Sequence, residues 1–194
     1  MSKRQKGLSF YKRKKKISSS TIKEIFTYIF GIAVSIFIAF VLVYAVGMSV
    51  RVIGVSMEPQ FSNGQKVLVN RYAYLLTAPH KGDVVAFLPN GNKNLHYYVK
   101  RVVATPGDTV QIIDGRLYVN GERVKEEGFD KMAEAGIVKN EYILANDEYF
   151  VLGDNRNNSE DSRSANIGPV KRKDIVGRIW FAFGTKTKKM GFVK

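Results

Sequence analysis

The chain of 194 residues contains no cysteine and only two histidines, His80 and His96. Without cysteine it cannot be a thiol protease, form a disulfide framework or bind zinc through thiolates. Two histidines are also too few for a histidine-rich metal site. The absence of cysteine suits a domain outside the cytoplasm, although it does not by itself place the chain there. The length predicts one globular domain with appendages.

Polar residues are nearly absent from one long segment near the N-terminus. Residues 25–50 contain no charged residue, histidine, asparagine or glutamine. About 24 helical residues span roughly 36 Å, which is enough to cross a hydrocarbon core of about 30 Å. The sequence therefore predicts a single transmembrane helix over residues 25–48. A cleavable secretion signal, cut near Ala45 and Gly47, is the alternative, but its apolar stretch usually has only about 7–15 residues.

Acidic residues are absent from residues 1–23, which carry nine of the 31 lysines and arginines. The rest of the chain is closer to balance, because it holds all 17 acidic residues. The net charge of +14 is therefore mostly a feature of this tail, and we expect no nucleic-acid partner. A basic flank on one side of the apolar segment, against a lone Arg51 on the other, predicts a cytoplasmic tail over residues 1–24 that contacts anionic phospholipid. Residues 49–194 would then lie outside the cytoplasm, anchored in the plasma membrane.

Residues 51–194 have the pattern of an all-β domain. Short runs rich in Val, Ile, Tyr and Phe are separated by turn-forming residues. The predicted strands are 51–55, 66–72, 83–88, 96–104, 109–113, 116–119, 148–152 and 175–183. The dipeptides typical of hairpin turns are Asn63-Gly64, Asp114-Gly115 and Asn120-Gly121.

The region from about residue 106 to residue 145 lacks the reactive residue types found on either side of it. We interpret it as an insertion into a catalytic core formed by the flanking segments. The clearest hairpin of the sequence, VQIIDGRLYVNG, lies inside it. Residues 128–140, polar with scattered apolar residues, are compatible with a short helix or a loop.

Three segments carry residues suited to chemistry, and the first is Gly54-Val55-Ser56-Met57-Glu58-Pro59. A serine near a glycine and a proline lies on an irregular backbone, where its hydroxyl can project from a turn. Taken alone, such a serine is more often a turn former than a nucleophile.

The second segment surrounds Lys100. Strand alternation places it on one face with His96, Tyr98, Val102 and Ala104. If that face is buried, desolvation lowers the pKa of the lysine, and the neutral amine can accept a proton from a serine. A solvent-exposed lysine on an edge strand is the commoner alternative.

The third segment is a polar loop, GDNRNNSEDSR, at residues 153–163. Taken alone, it reads as a solvated loop or as a calcium-binding loop. A dedicated calcium loop places several acids at alternating positions and ends in a bidentate glutamate. Arg156 and Arg163 argue against that reading.

Together and in this order, these segments resemble the sequence boxes of the bacterial type I signal peptidases, which remove signal peptides from exported preproteins. The chain is most similar to the short, single-span Gram-positive form. The resemblance covers most of the chain except the basic tail and about residues 109–145. The matching segments are Ser56-Met57-Glu58-Pro59 for the nucleophile box, Gly82-Asp83-Val84-Val85 for the next, Tyr98-Val99-Lys100-Arg101 with Pro106-Gly107-Asp108 for the lysine box, and residues 153–163 for the last.

The resemblance implies a mainly β fold, in which an N-terminal transmembrane helix precedes an antiparallel β-sheet catalytic domain of the signal-peptidase type. It implies that Ser56 is the nucleophile, Lys100 the general base and Ser159 the hydroxyl that orients Lys100. Asp161 and Arg163 would form an ion pair that holds the last box in place. The pockets for small substrate side chains would be lined by Ile53, Met57, Phe61, Val67, Tyr98 and Val99.

Three residues depart from the family pattern. Gln60 stands where threonine is usual and Gln65 where aspartate is common, and we interpret both as surface variation. Gly54 occupies the position at which Gram-negative members contribute a hydroxyl to the oxyanion hole. Only the Ser56 backbone N–H is therefore expected as a donor, and the second donor is left open.

The activity implied by the resemblance is that of a membrane-anchored serine endopeptidase. It would cleave signal peptides from secreted preproteins after a small residue, through an acyl-enzyme, and no metal or cofactor is implied. A non-catalytic, signal-peptidase-like assembly factor for surface proteins is the alternative, but such a protein would be expected to lose Ser56 or Lys100. A self-cleaving repressor with the same Ser–Lys chemistry gives no reason for the membrane span.

Overall fold

The structure is a computed structural model that describes residues 18–125, 128–185 and 189–193, with only the backbone described for residues 44–46. The chain divides into two compact units, Met1–Val43 and Tyr44–Lys194. The basic tail predicted over residues 1–24 lies largely outside the described residues.

The first unit is dominated by a long helix, α1, over Ser19–Val46. Its first turn is capped by the Ser18 hydroxyl, which accepts a hydrogen bond from the Ser20 backbone N–H at 3.4 Å. The segment Ser19–Val43 is long and apolar enough to cross a membrane, and its apolar side chains are exposed. The helix starts six residues before the predicted span, and residues 47 and 48 belong to the first strand instead.

Hydroxyl side chains inside α1 bond to the helix's own backbone. Thr27 Oγ1 donates to the Lys23 carbonyl and Ser35 Oγ to the Gly31 carbonyl, each at 2.9 Å. These bonds satisfy the hydroxyls without water, as a hydrocarbon environment requires.

The second unit is built on antiparallel β-sheet. Its strands are β1 (Gly47–Arg51), β2 (Lys66–Asn70), β3 (Val84–Phe87), β4 (Tyr98–Ala104), β5 (Thr109–Ile113), β6 (Arg116–Val119), β7 (Glu122–Arg123), β8 (Tyr142–Ile143), β9 (Glu148–Leu152), β10 (Val170–Lys171), β11 (Ile175–Ala182) and β12 (Gly191–Phe192). The main sheet has eight strands in the order β1-β2-β11-β3-β4-β9-β10, with β12 on β11. The mainly β, antiparallel fold with an N-terminal apolar helix is as predicted.

The centre of the main sheet is buried on both faces. All four residues of β3 are buried, because Val84 and Ala86 face one apolar cluster while Val85 and Phe87 face another. This double burial explains why β3 reads as a continuous apolar run, whereas a half-exposed strand alternates.

The insertion forms a separate four-stranded sheet in the order β7-β6-β5-β8. Its two tight hairpins turn at the predicted dipeptides, where Asp114, Gly115, Asn120 and Gly121 all have positive φ. Positive φ at both central residues matches the right-handed twist of a hairpin. Residues 128–140 contain no α-helix, only a short 3-10 turn at Gly136–Val138.

The small sheet packs against the end of the main one. A shared apolar cluster joins Val110 and Leu117 of the insertion to Ala104, Phe150 and Leu152 of β4 and β9. The insertion is therefore held against the strand that carries Lys100.

Two expectations need correction. The strand predicted over 51–55 ends at Arg51, because Gly54 adopts a φ of 83° and opens a turn. Gln65 is not surface variation, since it is only 2% exposed. Its amide accepts from the Ser62 backbone N–H and donates to the Phe183 carbonyl, each at 2.9 Å, which ties the turn after Ser56 to the end of β11. Gln60 is exposed.

Candidate active site

Ser56 lies in the turn that follows β1. The turn is closed by hydrogen bonds from the Glu58 N–H to the Val55 carbonyl at 3.0 Å and from the Phe61 N–H to the Met57 carbonyl at 2.8 Å. The Met57 and Phe61 side chains are buried in the main core. They anchor the turn from below, so that the half-buried Ser56 is held at a fixed position above them.

Lys100 lies on β4, opposite Val85 of β3, and is only 3% exposed. Its Nζ donates a hydrogen bond to Ser56 Oγ at 2.7 Å. Burial lowers the pKa of Lys100 to about 8, although the carboxylates of Asp161 and Glu160 act in the opposite direction. The face of β4 that carries Lys100 is thus buried, and a neutral lysine is accessible near pH 8.

The loop of residues 153–163, termed the last loop, is fixed by a buried ion pair. Asp161 is fully buried, and its two oxygens accept from Arg163 Nε at 2.8 Å and from a terminal nitrogen of the same guanidinium at 2.9 Å. Asp161 also accepts from the Gly153 backbone N–H at 3.1 Å, and Arg163 donates to the Arg156 carbonyl at 2.5 Å. These bonds join the two ends of the loop.

Ser159 lies in this loop with its hydroxyl buried. Among the described residues, no hydrogen-bond partner is present for its Oγ, so a bond to Lys100 is not formed. The hydroxyl packs against Gly153, where any Cβ would overlap both Ser159 Oγ and the Ser56 carbonyl oxygen. Ser159 therefore lies beside the Ser56 turn, and its orienting role stays a prediction.

A second ion pair, not anticipated from the sequence, links the last loop to β4. Arg101 donates to both oxygens of Asp154 at 2.8 Å and to the Gly82 carbonyl at 2.8 Å. The two residues are 53 positions apart in the chain. The available signal was that Arg101 and Asp154 both lie inside segments that match the family, Arg101 directly after the lysine and Asp154 near the start of residues 153–163.

An open cleft of about 430 Å³ lies beside Ser56 and Lys100. Of the predicted pocket residues, Ile53, Tyr98 and Val99 line it. Met57, Phe61 and Val67 do not, because they are buried in the main core beneath the cleft. The lining residues that the sequence did not indicate include Val52, Val55, His96, Tyr97, Asn158 and Glu160.

The backbone N–H of Ser56 is available as a donor. No acceptor for the Ser56 backbone N–H is present in the part of the chain that the structure describes. The Gly54 N–H is engaged by Asn63 Oδ1 at 2.9 Å, and the Ser56 carbonyl accepts from the Asn155 N–H at 3.0 Å. The Ser56 N–H is therefore free to bind an oxyanion.

The charged groups near the cleft do not form a cation site. Within the described residues, no group of three or more His, Asp or Glu side chains is placed to hold a metal ion. Two of the three acids of the last loop are instead paired with arginines, Asp161 with Arg163 and Asp154 with Arg101. The third, Glu160, accepts a hydrogen bond from the Tyr98 hydroxyl at 3.3 Å.

Comparisons with known proteins agree with these features. Residues 23–183 match the family described as signal peptidase, peptidase S26. The chain is 36% identical over 170 residues to signal peptidase I V of Bacillus subtilis, covering 81% of this chain and 98% of that one. It is 34% identical over 177 residues to signal peptidase IB of Staphylococcus aureus, covering 83% of this chain and 90% of that one.

A crystal structure of a signal peptidase I from Enterococcus faecalis is 29% identical, with a TM-score of 0.43, covering 53% of this chain and 97% of that one. The family match spans most of the chain, and both curated relatives are matched over nearly their full length. The chain therefore belongs to the bacterial type I signal peptidases.

Proposed function

We propose that this protein is a membrane-anchored serine endopeptidase that removes N-terminal signal peptides from exported preproteins, with Ser56 as nucleophile and Lys100 as general base. The observation that carries the proposal is the 2.7 Å hydrogen bond between Lys100 Nζ and Ser56 Oγ. A nucleophile and a base within hydrogen-bond reach are the minimum for covalent catalysis. Retention of both groups argues against the alternative of a non-catalytic assembly factor.

The reaction begins with neutral Lys100. Its Nζ takes the proton of Ser56 Oγ, which attacks the carbonyl carbon of the scissile peptide bond. The Ser56 backbone N–H donates to the oxyanion that forms. The resulting ammonium then gives its proton to the leaving amine, and the signal peptide stays attached as an ester of Ser56.

Hydrolysis repeats the same proton transfers with water. Lys100 accepts a proton as water attacks the ester carbonyl, and returns it to Ser56 Oγ when the ester bond breaks. A lysine does this near neutral pH only if its pKa is depressed, since about one amine in ten is neutral at pH 7 for a pKa of about 8. Burial of Lys100 supplies that depression.

Substrate choice follows from the cleft. Ile53, Tyr98 and Val99 line it with apolar side chains beside Ser56. We expect its part next to Ser56 to accept alanine-sized side chains and to exclude bulky ones. Cleavage after a small residue is the specificity that this shape supports.

The anchor and its orientation complete the proposal. The apolar helix spans the membrane, the basic tail lies in the cytoplasm, and residues 49–194 lie outside. The charge asymmetry of the sequence supports this orientation. Because the chain has no cysteine, single cysteines replacing Ser9 and Asn120 report sidedness directly. A membrane-impermeant thiol reagent should label only the second in intact cells, and the reverse pattern would overturn the orientation.

The activity is tested by incubating the detergent-solubilised protein with a preprotein and reading the new N-terminus by mass spectrometry. We expect one cut after a small residue at the end of the signal peptide, absent with Ser56→Ala and with Lys100→Ala. Cleavage that persists in both variants, or that falls elsewhere in the preprotein, would refute the proposal.

A further inference from the structure

One contact between the insertion and the last loop is made by the side chain of Asn157. Asn157 Oδ1 accepts a hydrogen bond from the Ala133 backbone N–H at 2.9 Å, and its Nδ2 donates to the Lys131 carbonyl at 3.0 Å. One side-chain amide thus pairs with two backbone groups two residues apart, as a neighbouring strand would. Both ends of the amide are used on the same segment of the insertion.

The other end of the last loop is held by the same segment. The Ile137 N–H donates to the Arg163 carbonyl at 3.0 Å, and the Arg163 guanidinium donates to the Glu134 carbonyl at 3.4 Å. Gly136 approaches so closely that any Cβ there would overlap the Arg163 backbone. Residues 131–137 therefore bind the loop at two positions, Asn157 and Arg163. Ser159 and Asp161 lie between these positions in the chain.

The middle of the loop, residues 157–160, is exposed or half-buried, whereas its two ends are mostly buried. Asn158 and Glu160 line the substrate cleft, whereas Asn157 and Ser159 line a second cavity of about 520 Å³ between the loop and the insertion. Residues 157–160 thus separate the substrate cleft from the second cavity. Close packing fixes the ends of the loop, and the hydrogen bonds of Asn157 add a restraint where the loop is exposed.

We propose that Asn157 is a positioning residue, which bridges the insertion to the last loop. It keeps Ser159 beside the Ser56 turn and Asp161 in its ion pair with Arg163. The inference rests on the Ser56–Lys100 chemistry proposed above. It gives the insertion, which carries no reactive residue of its own, a part in catalysis. Asn157 acts through the loop, since it does not face the substrate cleft.

The test compares Asn157→Ala with Gln111→Ala in the full-length protein. Gln111 is a matched control because its amide also donates to a backbone carbonyl, that of Lys139 at 3.3 Å, but this bond stays within the insertion. For Asn157→Ala we expect kcat to fall about tenfold, the change that corresponds to losing one or two hydrogen bonds. We expect KM to stay within about twofold of the wild-type value, because Asn157 does not contact the substrate in its ground state. Gln111→Ala should match the wild type.

The pH profile separates positioning from simple loss of stability. Burial is the largest cause of the low pKa of Lys100. If a displaced loop admits water, that pKa should rise, and the increase of kcat/KM with pH (the limb of the profile) should shift to higher pH. A variant that only unfolds more easily keeps the wild-type limb and the wild-type kcat well below its Tm, and that result would overturn the proposal. Ser56→Ala is assayed in parallel, because activity in that variant would refute the Ser–Lys chemistry instead. Asn157→Asp keeps the acceptor for Ala133 but loses the donor to Lys131, and wild-type kinetics in both Asn157 variants would leave the bridge without a catalytic part.

Discussion

The eight-stranded sheet and the four-stranded sheet are assembled in opposite ways. In the main sheet the groups that meet at the cleft, Ser56, Lys100 and the last loop, come from distant parts of the chain. In the insertion, β5, β6 and β7 follow one another through two-residue turns at Asp114-Gly115 and Asn120-Gly121, and β8 adds to the free edge of β5. Locally built structure is robust but holds no reactive group here, whereas the reactive groups depend on long-range contacts. The proposed catalytic groups thus lie in the part of the domain formed by long-range contacts, and the locally folded insertion contacts that part at the last loop.

The largest effect should come from the main sheet, at Lys100 itself. Lys100→Arg keeps a positive charge but cannot become neutral at a workable pH, so it cannot act as a base. We expect kcat/KM to fall by about 10³-fold while the fold is retained. A preprotein cleavage assay with circular dichroism as the folding control measures both. Near-normal activity of this variant would show that Lys100 is not the base.

The next effect should come from the ion pair of the last loop. Asp161→Asn leaves Arg163 buried with no charged partner, and breaking a buried pair in this way costs about 3–5 kcal/mol. For a protein of this size we expect Tm to fall by about 10 °C, since about 1 kcal/mol corresponds to roughly 2–4 °C. Thermal unfolding followed by the fluorescence of Trp180 measures the change. A Tm within about 2 °C of the wild type would show that the pair does not hold the loop.

Lys100 should also lower the free energy of unfolding of the protein. Its folded pKa of about 8 lies below the ordinary value of 10.5, so the unfolded chain binds more protons between those two pH values. The stability of the wild type therefore rises with pH through this window, and below about pH 8 the full cost of burying the ammonium applies. Lys100→Met removes that cost and should stabilise the protein by about 3 kcal/mol at pH 7.

The gain from Lys100→Met should fade between pH 8 and pH 10.5. The comparison is made by thermal unfolding of both proteins at several pH values. A gain that is independent of pH would point to better packing by methionine, and a loss of stability at pH 7 would contradict the desolvation account.

The smallest effect should come from the insertion. Gly121 has a φ of 77° with open space around its Cα, so alanine there adds backbone strain without a clash. We expect a loss of about 1 kcal/mol in the free energy of unfolding and unchanged kcat at temperatures well below Tm. A marked loss of activity without a loss of stability would contradict the expectation that the hairpin turns of the insertion play no part in catalysis.

Much of this architecture is readable from the sequence because its signals are local. The hairpin dipeptides fix the turns of the insertion, and the uncharged run predicts the long helix. Alternation places Lys100 with Val102 and Ala104 on one face of β4. Alternation does not say which face is buried, since that depends on the apolar residues that β3 and β9 bring alongside.

What the sequence does not reveal depends on contacts between distant residues. The Arg101–Asp154 pair joins two segments whose approach is set by sheet order. Gln65 reads as a surface residue until the Phe183 carbonyl is placed beside it. Met57 and Phe61 were expected at the cleft but pack below it, because a turn that presents Ser56 must be anchored by its neighbours.

The proposed mechanism requires Lys100 to act as a base whose pKa is lowered by burial, and the pH dependence of kcat/KM measures that pKa. This parameter reports the ionisation of the free enzyme and free substrate. A peptide substrate with no group titrating between pH 6 and 10 ensures that only the enzyme contributes to the profile. We expect kcat/KM to rise with pH in a single step with an apparent pKa of about 8, and this step to be absent in Lys100→Ala. A limb near the ordinary lysine value of 10.5, or one that persists in Lys100→Ala, would contradict it.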